Sequence, residues 1–171
     1  MESAARPFSP EQQAALKLHR LGFNVFPLPL GKKGGFRWKK LVYTHLEFFH
    51  ILPLFAFPCN VAVMMGRTSG NLFVIDCETE AVLMEQTQKL RAAGIPIWMS
   101  KTGGAAGGGH LFLRCADGEV INIHPGIYPD LEVRGNGCYV VVPPSIHPDT
   151  GLFYEWGLRE TAAPPLVSLK Q

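Results

Sequence analysis

The sequence predicts an α+β fold, and three observations predict it. Apolar runs of strand length outnumber the helical patterns, the two long helical patterns do not alternate with strands in a regular β-α-β-α rhythm, and no internal repeat is present. Mixed strands with helices between only some of them belong to α+β architecture rather than to a doubly wound parallel sheet.

The elements follow in order. Ser9 precedes Pro10, and Gln12 stands three residues after it, which is a capping-box start. Ala14, Leu18 and Leu21 then recur at helical spacing up to Gly22, giving a first helix. FNVFPL (23–28) reads as a short strand, followed by the basic loop GKKGGFRWKK. Thr44 with Glu47 can cap a short helix, which is expected to stop before Pro53. NVAVMMG (60–66) and NLFVIDCE (71–78), separated by the turn-forming RTSG, read as adjacent strands.

Thr79 to Ala93 carries Leu83, Thr87 and Leu90 on one face and ends at Gly94, so a second long helix is expected there. IPIWMSK (95–101) and HLFLR (110–114) read as strands joined by the loop TGGAAGGG. A turn-rich segment leads to LEVRG (131–135), and GNG is expected to join it to CYVVVP (138–143) as a tight hairpin. FYEW (153–156) and a proline-containing tail close the chain.

Composition sets bounds. A chain of 171 residues, 47% hydrophobic and 18% charged, suits one well-buried core, so a single domain is expected, with an ordered core over about residues 9–160. No apolar run of 18 or more residues occurs and the N-terminus has no leader-like pattern, so a cytoplasmic protein with no membrane partner is expected. The four cysteines form no C-x-x-C pair, which argues against a zinc knuckle or a disulfide framework. A formal charge of +2 neither requires nor excludes nucleic acid. The cations are uneven, however. Lys32, Lys33, Arg37, Lys39 and Lys40 are interleaved with Phe36 and Trp38, a pattern that suits a nucleic-acid backbone and its bases; the plainer reading is a solvated loop with one aromatic anchored in the core.

Three segments carry chemistry. Residues two apart in a strand share a face, so Asp76 and Glu78 project together from the end of the apolar strand Leu72 to Ile75. Two such carboxylates repel unless a cation or a base neutralises them, and they make half of a divalent-cation site. A strand-end D-x-E with no ligand is the common alternative. His110 follows a glycine run that could admit backbone N–H groups close to a phosphate; the run lacks the ending of a P-loop, and a plain hairpin loop is the alternative. In DLEVRGNG, alternation places Asp130, Glu132 and Arg134 on one face. Three carboxylates around two divalent ions, with arginine and histidine offsetting phosphate charge, would suit two-metal nucleotidyl transfer; a cross-strand Glu132–Arg134 ion pair is the structural alternative.

The order D-x-E, then G-G-H opening an apolar strand, then acid-V-R-G-x-G-x-Y-V-V-x-P-P-S-x-H resembles the bifunctional primase/polymerase N-terminal domain of the archaeo-eukaryotic primase superfamily. GFNVFPL, the GKK with a following tryptophan, and NVAVMMGRTSG agree, so the likeness runs from about Glu11 to Trp156. It implies a primase-polymerase core in which an RRM-like sheet packs beside a smaller N-terminal α/β module, with the active site in the cleft between them. It implies Asp76, Glu78 and Glu132 as catalytic, metal-binding carboxylates for two Mg²⁺ or Mn²⁺ ions, with no zinc. His110 would contact the phosphates of the incoming nucleotide, with Arg134, Ser145 and Lys101 assisting, and Lys32, Lys33, Arg37 and Trp38 would contact DNA. The implied partners are template and primer DNA, nucleoside triphosphates, and a downstream helicase or accessory domain. Gly108 stands where many members carry serine, and Asp130 rivals Glu132 as third ligand. The competing functions are a metal-dependent nuclease and a non-catalytic nucleic-acid-binding module, for which HLFLR lacks the aromatic octamer of an RNA-binding sheet.

Overall fold

The computed structural model describes residues 7–31 and 37–169, apart from the side chain of Pro125. Among the described residues three α-helices, α1 (Pro10–Arg20), α2 (Phe48–Leu54) and α3 (Glu80–Ala92), accompany ten strands. The strands are β1 (Val25–Leu28), β2 (Asn60–Met64), β3 (Leu72–Thr79), β4 (Trp98–Lys101), β5 (Gly107–Cys115), β6 (Ile123–Tyr128), β7 (Leu131–Arg134), β8 (Tyr139–Val142), β9 (Glu155–Arg159) and β10 (Leu166–Val167). Helices and largely antiparallel sheets make this an α+β fold, as the sequence predicts.

The strands form two sheets. A three-stranded sheet runs β1-β2-β8, and a seven-stranded one runs β6-β7-β3-β5-β4-β9 with β10 added in parallel beside β5. One face of the large sheet is covered by α3, where Leu83 packs on Cys77, Ile97, Met99 and Leu111. The opposite face packs against α1 and the small sheet: Leu72, Val74, Trp98 and Phe112 meet Leu16, Val25, Val61, Val63 and Val142 in the largest core cluster. Alternation along β3 therefore places Val74 and Asp76 on the face toward the small sheet, and Cys77 on the α3 face.

The helix starts follow the sequence closely. Ser9 Oγ accepts the Gln12 amide at 3.2 Å while Gln12 Oε1 accepts the Ser9 amide at 3.0 Å, closing the capping box. Thr79 caps α3 through the Val82 amide at 3.3 Å. The second helix departs from expectation. It begins at Phe48 after Glu47, whose side chain makes no capping bond, and it includes Pro53. In so short a helix proline forfeits a single intrahelical bond, and burial of Ile51 in the core outweighs that loss.

Two strand pairings also differ. The runs 60–66 and 71–78 are not neighbours in one sheet: β2 belongs to the small sheet and β3 to the large, and the two runs are joined through the backbone at the Gly66–Leu72 bridge while their side chains pack in the shared core. Gly66 at φ +92° and Gly70 at φ +67° turn the chain from one sheet to the other. Likewise GNG is no hairpin, because β7 pairs with β3 while β8 pairs with β2. The small module is thus completed by a strand from the C-terminal half, and β6 and β10 were not foreseen.

The glycine run is strand rather than loop. From Gly107 onward it pairs with β3, bringing Cys77 opposite Gly109 and Thr79 opposite Gly107. A Cβ at Gly108 would stand 2.2 Å from the Cys77 carbonyl oxygen, and one at Gly109 2.4 Å from that of Ser100. These glycines let three strands lie close beside the acid row, and the contact explains why Gly108 cannot be serine here. Gly108→Ala is expected to destabilise the fold by about 3 kcal/mol or more, because the obstructing atoms are backbone. A urea unfolding curve matching that of the parent chain would contradict this account.

Candidate active site

Register builds the site. Asp76 on β3 lies directly opposite Glu132 on β7 and opposite His110 on β5, and His110 in turn lies opposite Ser100 on β4. Four polar residues from four consecutive strands therefore form one row on the face toward the small sheet. Asp76 and His110 of this row, with Glu78 and Arg134 beside them, floor a cleft of about 460 Å³ that opens along β8, an edge strand of the small sheet. Leu28, Trp38, Tyr139 and Val141 line its apolar side, with the rings of Trp38 and Tyr139 edge to face at 5.3 Å. Thr102, His147 and Tyr154 line the other side.

Charge organises the floor. Arg134 Nε donates to Asp76 Oδ2 at 2.7 Å and Arg134 Nη2 meets Glu132 Oε2 at 3.0 Å, so one guanidinium bridges two carboxylates. Burial opposes the Arg134 charge, but Asp76 and Glu132 outweigh it and hold its pKa above the ordinary value. His110 Nε2 stands 3.5 Å from Asp76 Oδ1, and burial lowers the pKa of the imidazole, so it is neutral near pH 7. Glu78 stands exposed at the rim. Partial desolvation and the neighbouring Asp76 and Glu132 raise its pKa, only partly offset by Arg134. Cys77, turned to the α3 face, is pushed up to about 12 by burial and by Asp76, and stays a thiol.

The remaining expected residues fall in different places. Asp130 sits in a turn at φ +54°, exposed, and its carbonyl accepts the Glu78 amide at 2.9 Å; it is Glu132 that shares the row with Asp76. Lys101 lies on the α3 side with its ammonium 3.3 Å from Glu80, away from the cleft. Ser145 is buried beneath the surface, its Oγ accepting the Val61 amide at 2.8 Å and donating to the Val61 carbonyl at 3.3 Å, so its hydroxyl ties β2 to the segment leading to His147. Trp38 lines the cleft; Arg37 immediately precedes it, exposed, and Lys32 and Lys33 lie outside the described residues. His147 and Tyr154 were missed as site residues. Both stand in segments the sequence singled out, PPSIHP and FYEW, but nothing in their spacing says that the chain folds back over His110.

The donor set suits a hard divalent cation. Asp76, Glu78 and Glu132 offer oxygen ligands, and three carboxylates face one guanidinium and a neutral imidazole, which leaves the site net negative. As placed, with Asp76 and Glu132 turned to Arg134, no group of three or more His, Cys, Asp or Glu among the described residues converges to hold an ion. Among the described residues no helix is long and apolar enough to cross a membrane.

The domain is thus an α+β fold with acidic groups at the floor of a cleft between two sheets. The chain belongs to the family of the bifunctional DNA primase/polymerase N-terminal domain, whose profile matches residues 15–166. A comparison with curated protein sequences gives no significant match.

Opposite stability effects are expected for the two β3 carboxylates. Asp76→Asn weakens the hold on half-buried Arg134 and should cost about 2 kcal/mol at pH 7. Glu78 has a raised folded-state pKa, so its contribution is fully present below the unfolded-state pKa and is lost as pH rises through the folded value. Glu78→Gln should therefore stabilise at pH 7, by less than about 1 kcal/mol given its exposure, and the gain should vanish as pH falls below the ordinary carboxylate range. Urea unfolding at pH 7 and pH 4 checks both signs.

Proposed function

We propose that this chain, as one catalytic domain, joins nucleotides to a primer on a DNA template, taking nucleoside triphosphates as substrates and Mg²⁺ or Mn²⁺ as cofactor. The observation that carries the reading is the in-register row Glu132–Asp76–His110 on β7, β3 and β5, with Arg134 beside it in the cleft. Asp76, Glu78 and Glu132 would hold the ions. Two divalent ions bound there supply the chemistry of nucleotidyl transfer, lowering the pKa of the attacking hydroxyl and offsetting charge on the leaving pyrophosphate.

The other side chains have assignable parts. Arg134 balances Asp76 and Glu132 in this arrangement, and on substrate binding the same guanidinium would turn its fork to phosphate oxygens. His110, neutral and adjacent to Asp76, would donate to the phosphate nearest the acid row. The apolar wall of Trp38 and Tyr139 offers aromatic ring surface to a base. Ser145 and Lys101 act at a distance here, the first by fixing the β2 edge of the cleft and the second by tying β4 to α3.

The test is incubation with primer–template DNA, nucleoside triphosphates and Mg²⁺ or Mn²⁺. Extension is expected from the parent chain and none from Asp76→Asn combined with Glu78→Gln. Glu132→Gln should lower single-nucleotide incorporation by about 100-fold or more, and Asp130→Asn by only a few-fold, since Asp130 lies outside the row. Extension by the folded double variant would refute the site, and shortening of the primer would replace the reading with a nuclease.

A further inference from the structure

The wall opposite Trp38 holds a second imidazole. The segment 147–152 closes on itself, with the His147 amide donating to the Leu152 carbonyl at 2.8 Å and the Gly151 amide to the His147 carbonyl at 2.9 Å. Thr150 Oγ1 ties this loop to the Gly103 carbonyl at 2.8 Å, and Asn60 holds its start through the backbone of Ile146 at 2.9 and 3.0 Å. The loop is thus fixed to both sheets.

Within it the tautomer of His147 is set. The Asp149 backbone amide points at Nδ1 from 3.3 Å, and an amide can only donate, so Nδ1 is the unprotonated acceptor. The proton of the neutral ring therefore sits on Nε2. That nitrogen faces Gly104, 3.8 Å from where a Cβ would stand, and it has no hydrogen-bond partner among the described residues.

Tyr154 supports the ring. Its own amide donates to the Ser145 carbonyl at 2.7 Å, and its phenol stacks on His147 with centroids 5.9 Å apart and planes 24° from parallel. The same phenol packs against His110 at 6.3 Å. His110, Tyr154 and His147 thereby form one column from the sheet floor toward the cleft mouth. His110 is 5% exposed and turned to Asp76, whereas His147 is only half-buried and keeps a free N–H donor.

We propose that His147 is a second phosphate-binding residue of this cleft, donating from Nε2 to the distal phosphates of a nucleoside triphosphate, with Tyr154 as its positioning residue. The inference rests on the nucleotidyl-transfer reading above and adds to it the group that grips the polyphosphate tail farthest from the acid row. With Nδ1 occupied by the Asp149 amide, Nε2–H is the donor left to bind a phosphate oxygen there.

The experiment is equilibrium titration of the full chain, with primer–template DNA and Mg²⁺ present, by a nucleoside triphosphate and separately by the corresponding monophosphate. His147→Ala should weaken triphosphate binding about ten-fold or more and monophosphate binding far less, raising KM with kcat little changed. His147→Gln, whose amide N–H can take the place of Nε2–H, should restore most of the affinity and carries the test if the alanine variant unfolds. Tyr154→Leu should weaken triphosphate binding no further when added to His147→Ala. Unchanged triphosphate affinity in folded His147→Ala, or equal loss for both nucleotides, overturns the proposal while leaving primer extension by the parent chain standing. A parent chain that neither binds triphosphate nor extends a primer fails the underlying reading, and this proposal falls with it.

Discussion

A carboxylate that is 7% exposed and set in the apolar strand β3 needs a compensating charge, and Arg134 provides it from the neighbouring strand. That one ion pair fits a single register of β7 against β3. A slip of one residue would turn Arg134 to the other face and leave Asp76 uncompensated. The same register puts Glu132 directly opposite Asp76, so the pairing that makes the buried acid tolerable also assembles the acid row. Stability and site construction rest here on the same contact.

The neighbouring strand on the other side is set by sterics rather than charge. Gly108 and Gly109 let β5 approach within distances that no Cβ would allow, which places His110 beside Asp76 and lets Ser100 of β4 continue the row. A glycine run beside a histidine invites a reading as a phosphate loop, because both uses exploit the missing Cβ. In this chain the space freed by these two glycines is filled by the Cys77 and Ser100 carbonyls.

The cleft is asymmetric. Its acid floor comes from the large sheet, its apolar side from Trp38 and β8, and its donor-rich side from a loop that returns late in the chain. Burial keeps His110 and Tyr154 from changing charge near neutrality: the pKa of His110 is lowered, and that of Tyr154 is pushed up to about 12 by burial and by Asp76. These two groups therefore stay uncharged beside a net-negative floor, a division of labour suited to holding an anionic tail that arrives with divalent cations.

By itself the sequence determined what local rules govern. The capping box of α1, the apolar spacings of α1 and α3, the α+β class, and the D-x-E and E-x-R faces are all readable from short-range patterns, because period and capping depend on neighbours a few residues away. The motif order was enough to indicate the family that the profile then matched over residues 15–166. Tertiary structure alone decided which strands share a sheet: RTSG and GNG look like hairpin turns, yet each carries the chain between sheets, since apolar strands such as β2 and β8 pair where both faces can be buried. It alone decided that Ser145 is spent on the Val61 backbone, that Lys101 faces α3, and that His147 and Tyr154 fold over His110. Apart from the stacking of His147 on Tyr154, those contacts join residues tens of positions apart, and no periodicity in the chain encodes them.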